Sequence, residues 1–184
     1  MISYNFKHIF LNLLKENNFS YGVDATLGNG NDTYSILQYT DAHVTAFDIQ
    51  EMAIESSLEK LKTFNRDRYN LILDSHSNMD RYLKDSPDLI VFNTGYLPGS
   101  DKKIITDGQT LTKALEISVE ALKPGGVIFF AQYIGHEGSF EESEITDIFF
   151  KNLCQKKFRV LKNEFYNQIN NPPIVYLAEK LWKI

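Results

Sequence analysis

A chain of 184 residues has the length of one domain, so a single domain over residues 1–184 is expected, without a second catalytic module. Hydrophobic residues make up 43% and charged residues 23%, enough apolar material for a packed core and unlike a disordered or collagen-like composition. The formal charge of −5 argues against coating nucleic acid through bulk positive charge, while leaving a local basic patch open.

The opening segment places Phe6, Ile9, Phe10, Leu13 and Leu14 at helical spacing, the stripe of an amphipathic helix lying as a lid or layer on something else. It lacks the continuous apolar stretch of a secretory signal, and no later run approaches the roughly 18 apolar residues of a membrane span. Apolar bursts then alternate with helical patterns. Tyr21–Ala25, His43–Phe47, Tyr69–Leu73, Asp88–Phe92 and Gly126–Gln132 are short and bounded by Gly, Pro, Asn or Asp, which predicts five strands of a mainly parallel sheet. Ile54, Leu58 and Leu61 keep helical spacing between strands. So do Leu111, Ala114, Leu115 and Leu122, a helix stopped by Lys123-Pro124-Gly125-Gly126. The alternation predicts right-handed crossovers and helices on both faces.

Phe158–Tyr166 and Ile174–Lys180 are strand-like runs joined by a segment, Asn167 to Pro173, too short for a crossover helix. They should pair as an antiparallel hairpin. Parallel strands closed by a terminal hairpin give an α/β, Rossmann-like fold with seven strands, the arrangement of the class I methyltransferases rather than the six-strand dinucleotide fold. Phe150 to Ile184 holds seven basic and two acidic residues, either a solvated face or a patch for an RNA backbone. The single cysteine, Cys154, rules out an internal disulfide. No Cys/His cluster has zinc spacing, so no metal and a reducing, cytoplasmic setting are expected.

The chemistry is concentrated where strands end. The first strand runs into Asp24-Ala-Thr-Leu-Gly28-Asn-Gly30-Asn-Asp32-Thr33, and Asp48 ends the second. Glycines allow the tight turn against a nucleotide-like ligand, and an acid at Asp48 reaches ribose hydroxyls. A dinucleotide would want a small residue at Thr33 and no acid at the helix N-terminus, where Asp32 repels a phosphate. A mouth lined by Asp24, Asp32 and Asp48 suits a positively charged sulfonium, S-adenosylmethionine. Asp74-Ser75-His76 ends the third strand, where an acceptor for the adenine amino group belongs, or else a helix N-cap. Asn93 ends the fourth, at the place of the Asn or Asp in the Asn/Asp-Pro-Pro-Tyr motif of nitrogen-methylating enzymes, whose oxygens orient an exocyclic amine. His136, on a Gly-flanked loop after the fifth strand, is a candidate substrate contact or proton acceptor.

The set Asp24-Ala-Thr-x-Gly-Asn-Gly-x-Asp-Thr33, Phe47-Asp-Ile-Gln50, Asp74-Ser-His76, Asn93-x-Gly-Tyr-Leu-Pro-Gly-x-Asp-Lys102, Tyr133-x-Gly-His-x-Gly138 and Asn171-Pro-Pro-Ile174 resembles the small bacterial family labelled putative rRNA methylases. Members similar to this chain are understood as tRNA methyltransferases. The resemblance implies S-adenosylmethionine as donor and, as acceptor, the amino group of 5-aminomethyluridine at the tRNA wobble position, giving 5-methylaminomethyluridine. It places cofactor contacts on Asp24, Thr26, Gly28, Asn29, Gly30, Asn31, Asp32, Thr33, Asp48, Ile49, Gln50, Asp74, Ser75, His76 and Asn93. Catalysis falls to Asn93, Tyr96 and His136, and substrate contacts to Gly95, Tyr96, Leu97, Pro98, Asp101, Lys102, Tyr133 and His136. The implied partner is a tRNA anticodon loop, single-stranded so that the wobble base can splay out and stack on an aromatic such as Tyr96. No membrane and no metal are implied, and a homodimer is left open.

Overall fold

Asn5 starts the first helix: its backbone is extended and its side chain accepts the His8 N–H at 3.2 Å, an N-cap bond. The structure, a computed structural model, describes residues 5–94, 108–133, 139–169 and 172–182. Helix α1 (Phe6–Glu16) buries Phe10 and Leu14, and Phe10 packs on Phe129 with ring centroids 4.7 Å apart. The apolar stripe is therefore a layer on the sheet.

The strands are β1 (Tyr21–Asp24), β2 (His43–Asp48), β3 (Tyr69–Leu73), β4 (Leu89–Thr94), β5 (Val127–Gln132), β6 (Phe158–Asn163) and β7 (Ile174–Lys180). Their order is β3-β2-β1-β4-β5-β7-β6, parallel from β3 through β5 and antiparallel at β5/β7 and β7/β6. This is the expected seven-stranded class. The five inner predictions hold to within two residues at each end. The hairpin's first strand, however, stops at Asn163 rather than Tyr166. Its ladder ends at Asn163↔Val175, and beyond that register Tyr166 is 99% exposed, without a partner strand to hold it.

Helices α2 (Asn31–Tyr39), α3 (Glu51–Leu61), α4 (Gly108–Ala121) and α5 (Ser139–Lys151) complete the layers. Helix α5 has no counterpart among the predicted elements. One core cluster joins α1, α2 and α3 to Val91, Phe129, Ala131 and Val175. The other joins α4 and α5 to Ile90, Phe92, Phe130 and Tyr176. Alternate residues of each strand thus serve opposite faces, as a period of two requires. Tyr176 is held from two sides: its ring stacks on Phe150 at 4.8 Å and its hydroxyl donates to Asp147 at 2.9 Å.

Parallel strands end together, so the segments after β1 to β4 all emerge at one edge of the sheet. The β6–β7 connection emerges there too, because Ile174 pairs with Gln132 at the end of β5. Among the described residues no helix is long and apolar enough to cross a membrane.

Candidate active site

The loop after β1 is built by the backbone. Ala25 N–H donates to Val91 O at 2.8 Å, Leu27 N–H to Phe47 O at 2.9 Å and Gly30 N–H to Leu27 O at 2.7 Å, with Gly28 and Gly30 at φ of 50° and 71°. That left-handed geometry favours glycine. A Cβ at Gly30 would also stand 2.8 Å from Ser57 Oγ and 3.0 Å from Ser57 Cβ on α3, while Ser57 Oγ donates to Gly28 O at 3.1 Å. Gly30 thus lets α3 close on the loop, a role that spacing alone did not reveal. Gly30→Ala should lower stability by about 2 kcal/mol through strain and the close approach, read as a fall of several degrees in thermal midpoint. Adding Ser57→Gly should restore the steric part only.

Asp24 is not on the mouth. It is fully buried, and its oxygens accept Thr26 N–H at 3.1 Å, Thr33 N–H at 3.1 Å and the Thr33 hydroxyl at 2.7 Å. The carboxyl points back into the fold and ties the loop to the first turn of α2. Burial, then the neighbouring Asp32 charge, pushes it up to about 7 against those bonds. Folded protein therefore keeps a proton that the unfolded chain releases near the ordinary value, so this group's contribution to stability falls as pH rises through that window. Asp24→Asn should accordingly gain on the wild type between pH 5 and pH 8 in urea unfolding midpoints.

Asp48 stays at the edge. Its oxygens accept Gly28 N–H and Gln50 N–H, each at 2.9 Å, which fixes the acid under the loop. Ile49 beside it is 56% exposed, an apolar face next to a ribose-type acceptor. On the loop itself, Asn29 Oδ1 accepts the Ser56 hydroxyl at 3.3 Å and Asn31 Oδ1 accepts Lys60 Nζ.

At the end of β3, Ser75 caps the short 3-10 helix His76–Arg81. Asp74 accepts Ser75 N–H at 2.7 Å, Asn78 Nδ2 at 2.9 Å and the Tyr82 hydroxyl at 2.8 Å. The bonds from Asn78 and Tyr82 hold it below the usual carboxylate range. His76 Nδ1 lies 3.1 Å from Ala25 O, and Nε2 is buried without a partner among the described residues. A carbonyl only accepts, so the proton sits on Nδ1 and Nε2 carries the lone pair. Burial lowers the pKa of this ring and keeps it neutral.

Asn93 stands between the loops. Its N–H donates to Thr26 Oγ1 at 2.8 Å and its Nδ2 to Asp32 Oδ2 at 2.8 Å, while Oδ1 is buried with no partner among the described residues. An unpaired buried acceptor is uncommon and points to a missing donor. Burial raises the Asp32 pKa; the Asn93 bond and the charges of Lys7 on α1 and Lys60 on α3 oppose that. Tyr133, just past β5, meets Phe6 edge to face at 5.5 Å. Burial and Asp32 push its hydroxyl up to about 12. Sequence reasoning missed Lys7, Lys60 and Phe6 here: their polar or apolar patterns told which face they occupy, not what that face meets. Gly95, Tyr96, Leu97, Pro98, Asp101, Lys102, His136 and Asn171 lie outside the described residues.

A cleft of about 430 Å³ between Leu14, Phe19 and Tyr39 sits at the opposite edge of the sheet and shares no residue with this constellation. Strand ends, not that hollow, gather the chemistry. No group of three or more His, Cys, Asp or Glu among the described residues could hold a metal.

A family model described as Putative rRNA methylase matches residues 44–179. The chain belongs to the putative rRNA methylase family. It is 34% identical over 171 residues to the chloroplastic tRNA (mnm(5)s(2)U34)-methyltransferase of Arabidopsis thaliana, a match covering 86% of this chain and 62% of that relative. The chain therefore spans about three-fifths of that curated relative's length. A putative rRNA-methylase structure from Clostridium thermocellum superposes with TM-score 0.92 at 38% identity, covering 98% of this chain and 100% of the other. A putative methyltransferase from Streptococcus mutans, solved in complex with SAH, superposes with TM-score 0.88 at 33% identity over 98% of this chain and 100% of the other.

The span matched by the putative rRNA methylase family takes in Asp48, Asp74, Asn93 and Tyr133 and begins after the Gly28–Gly30 loop. It also takes in most of the basic tail, three of whose seven basic side chains are engaged within the fold. Lys180 Nζ donates to Val119 O, Glu120 O and Leu122 O at the end of α4. Arg159 pairs with Glu179, and Lys162 with Asp147 and Glu164. Since β6 begins opposite Lys180, Lys156 and Lys157 sit at the edge away from Asn93.

Proposed function

We propose that this chain is an S-adenosylmethionine-dependent N-methyltransferase of tRNA, acting on the amino group of 5-aminomethyluridine at the wobble position. One observation carries the reading: Asn93 holds a buried, unpartnered carbonyl oxygen at the sheet edge, beside a glycine loop and a ribose-type acid. The names of the Arabidopsis relative, a tRNA (mnm(5)s(2)U34)-methyltransferase, and of the SAH-bound Streptococcus neighbour support it.

The residues present fit the donor. Asp48 would accept ribose hydroxyl hydrogens, Ile49 offers an apolar face for adenine, and the buried lone pair of His76 Nε2 lacks a donor that an adenine amino group could supply. When bound, S-adenosylmethionine supplies a methyl group made electrophilic by a positively charged sulfur. The chain's own task is orientation. A primary alkyl amine is mostly protonated at neutral pH and must lose a proton before it can attack. Asn93 Oδ1 accepts one remaining N–H and fixes the lone-pair direction, with the lost proton leaving to water. Tyr133 stays a neutral donor across the working range.

Acceptor class is tested by incubating the protein with isotope-labelled donor and with tRNA and rRNA purified separately from cells lacking the modification, followed by nucleoside mass spectrometry. Label in 5-methylaminomethyluridine from tRNA is expected. Label in rRNA alone would move the substrate to rRNA, and label in neither would move it to a small molecule.

A further inference from the structure

Besides its backbone carbonyl, Asn93 offers three polar groups at the end of β4, and two are already engaged: N–H with Thr26 Oγ1 and Nδ2 with Asp32 Oδ2, both at 2.8 Å. The third, Oδ1, is buried without a partner among the described residues. A side-chain amide can turn over about its last bond and exchange nitrogen for oxygen, and both shapes fill the same space. Only one of them presents an acceptor. The Thr26 bond holds the Asn93 backbone but cannot choose between the two.

We infer that Asp32 is a positioning residue for amine methylation: by accepting from Nδ2 it locks the Asn93 amide with Oδ1 left as the acceptor for the substrate amine. This rests on the amine-methylation reading above. An ionised carboxylate has no hydrogen to give, so a turned amide would set two acceptors against each other. A protonated carboxyl could donate to Oδ1 and would permit the turned form. The charges around Asp32 bear on that choice. Lys7 from α1 and Lys60 from α3 favour the ionised form, whereas burial opposes it. Tyr133, whose hydroxyl stays protonated, adds no charge.

Asp32 began as one acid of a cofactor mouth. Geometry gives it another partner, 61 positions away. It acts through Asn93 and needs no contact with the reacting atoms.

The test compares Asp32→Ala, Asp32→Asn, Asn93→Ala and the Asp32→Ala/Asn93→Ala double variant in single-turnover methylation of tRNA, with the Kd for S-adenosylhomocysteine measured alongside. Asp32→Ala should slow turnover about tenfold or more while KM for tRNA and that Kd change by less than about twofold. Asp32→Asn should recover only part of the rate, since its carbonyl can accept the same N–H but its NH2 can also donate to a turned Asn93 Oδ1. The double variant should be no slower than Asn93→Ala, because an effect that passes through Asn93 vanishes with it. A double variant clearly slower than Asn93→Ala, or an Asp32→Ala protein that loses S-adenosylhomocysteine affinity as much as rate, would overturn the inference in favour of direct contact. The Asn93 side-chain amide signals in NMR provide a readout independent of the substrate. They should shift on Asp32→Ala, and signals that do not move would refute the lock. If the wild type methylates no RNA while these signals shift, the lock stands and the amine reading fails.

Discussion

Asn93→Ala is expected to cut the rate of methyl transfer about 100-fold, the size of effect seen when one preorganised hydrogen-bonding group is removed from a reacting centre. Three properties of the side chain support so large a loss. Its Oδ1 is buried and unpartnered, its orientation is held by Asp32, and its backbone is fixed to Thr26. An acceptor held this rigidly needs no reorganisation when the amine arrives. The cofactor should be affected far less. The Thr26 bond uses backbone N–H and survives the substitution, and the Gly28–Asp48 contact is elsewhere. The deciding measurement is therefore a split: kcat on tRNA against Kd for S-adenosylhomocysteine. Equal losses in both would make Asn93 a cofactor ligand, and an unchanged kcat would remove it from the mechanism. Folding should suffer by about 1.5–3 kcal/mol for the lost bond to the buried Asp32 carboxyl, so circular dichroism and thermal midpoint serve as controls.

The second large effect concerns binding. Asp48→Ala should raise the Kd for S-adenosylhomocysteine about 10- to 100-fold, the worth of one or two hydrogen bonds to a charged acceptor. On the proposed reading, part of that loss is the ribose acceptor itself. The rest is indirect, because Asp48 also accepts Gly28 N–H and Gln50 N–H and so holds the glycine loop over the end of β2. Asp48→Asn separates the two: a single carbonyl oxygen can keep the loop bond while the charge is gone. Calorimetric titration of both variants is the check. An affinity unchanged in Asp48→Ala would place the ribose elsewhere.

Much of the fold was legible because local periodicity reports it. The short apolar bursts of β1 to β5, the 3.6-residue stripe of α1 and the Pro-Gly-Gly stop after α4 each follow from neighbours in sequence. The hairpin was legible for the same reason: ten residues between β6 and β7 cannot house a crossover. Helix α5 escaped, its apolar positions being too weakly ordered around Gly135, Gly138 and a run of acids to mark a period. The overrun of β6 to Tyr166 has the opposite cause. Residues with strand propensity continue, but the partner strand has ended, and a ladder needs both.

The candidate site divides along the same line. The sequence by itself determined which residues reach the working edge, because an acid, Gly-x-Gly, a second acid and Asn93 all fall where strands end, and parallel strands end together. What each side chain does there was decided only by the tertiary structure. Asp24 and Asp32 are eight positions apart and chemically identical; one is fully buried and holds Thr26 and Thr33, and the other orients Asn93. Gly30 is a turn residue by composition and a packing residue by its closeness to Ser57. Local pattern sets the direction of the backbone and hence the edge, but a polar side chain's role depends on the donor or acceptor that folding brings within about 3 Å, and such partners come from distant segments.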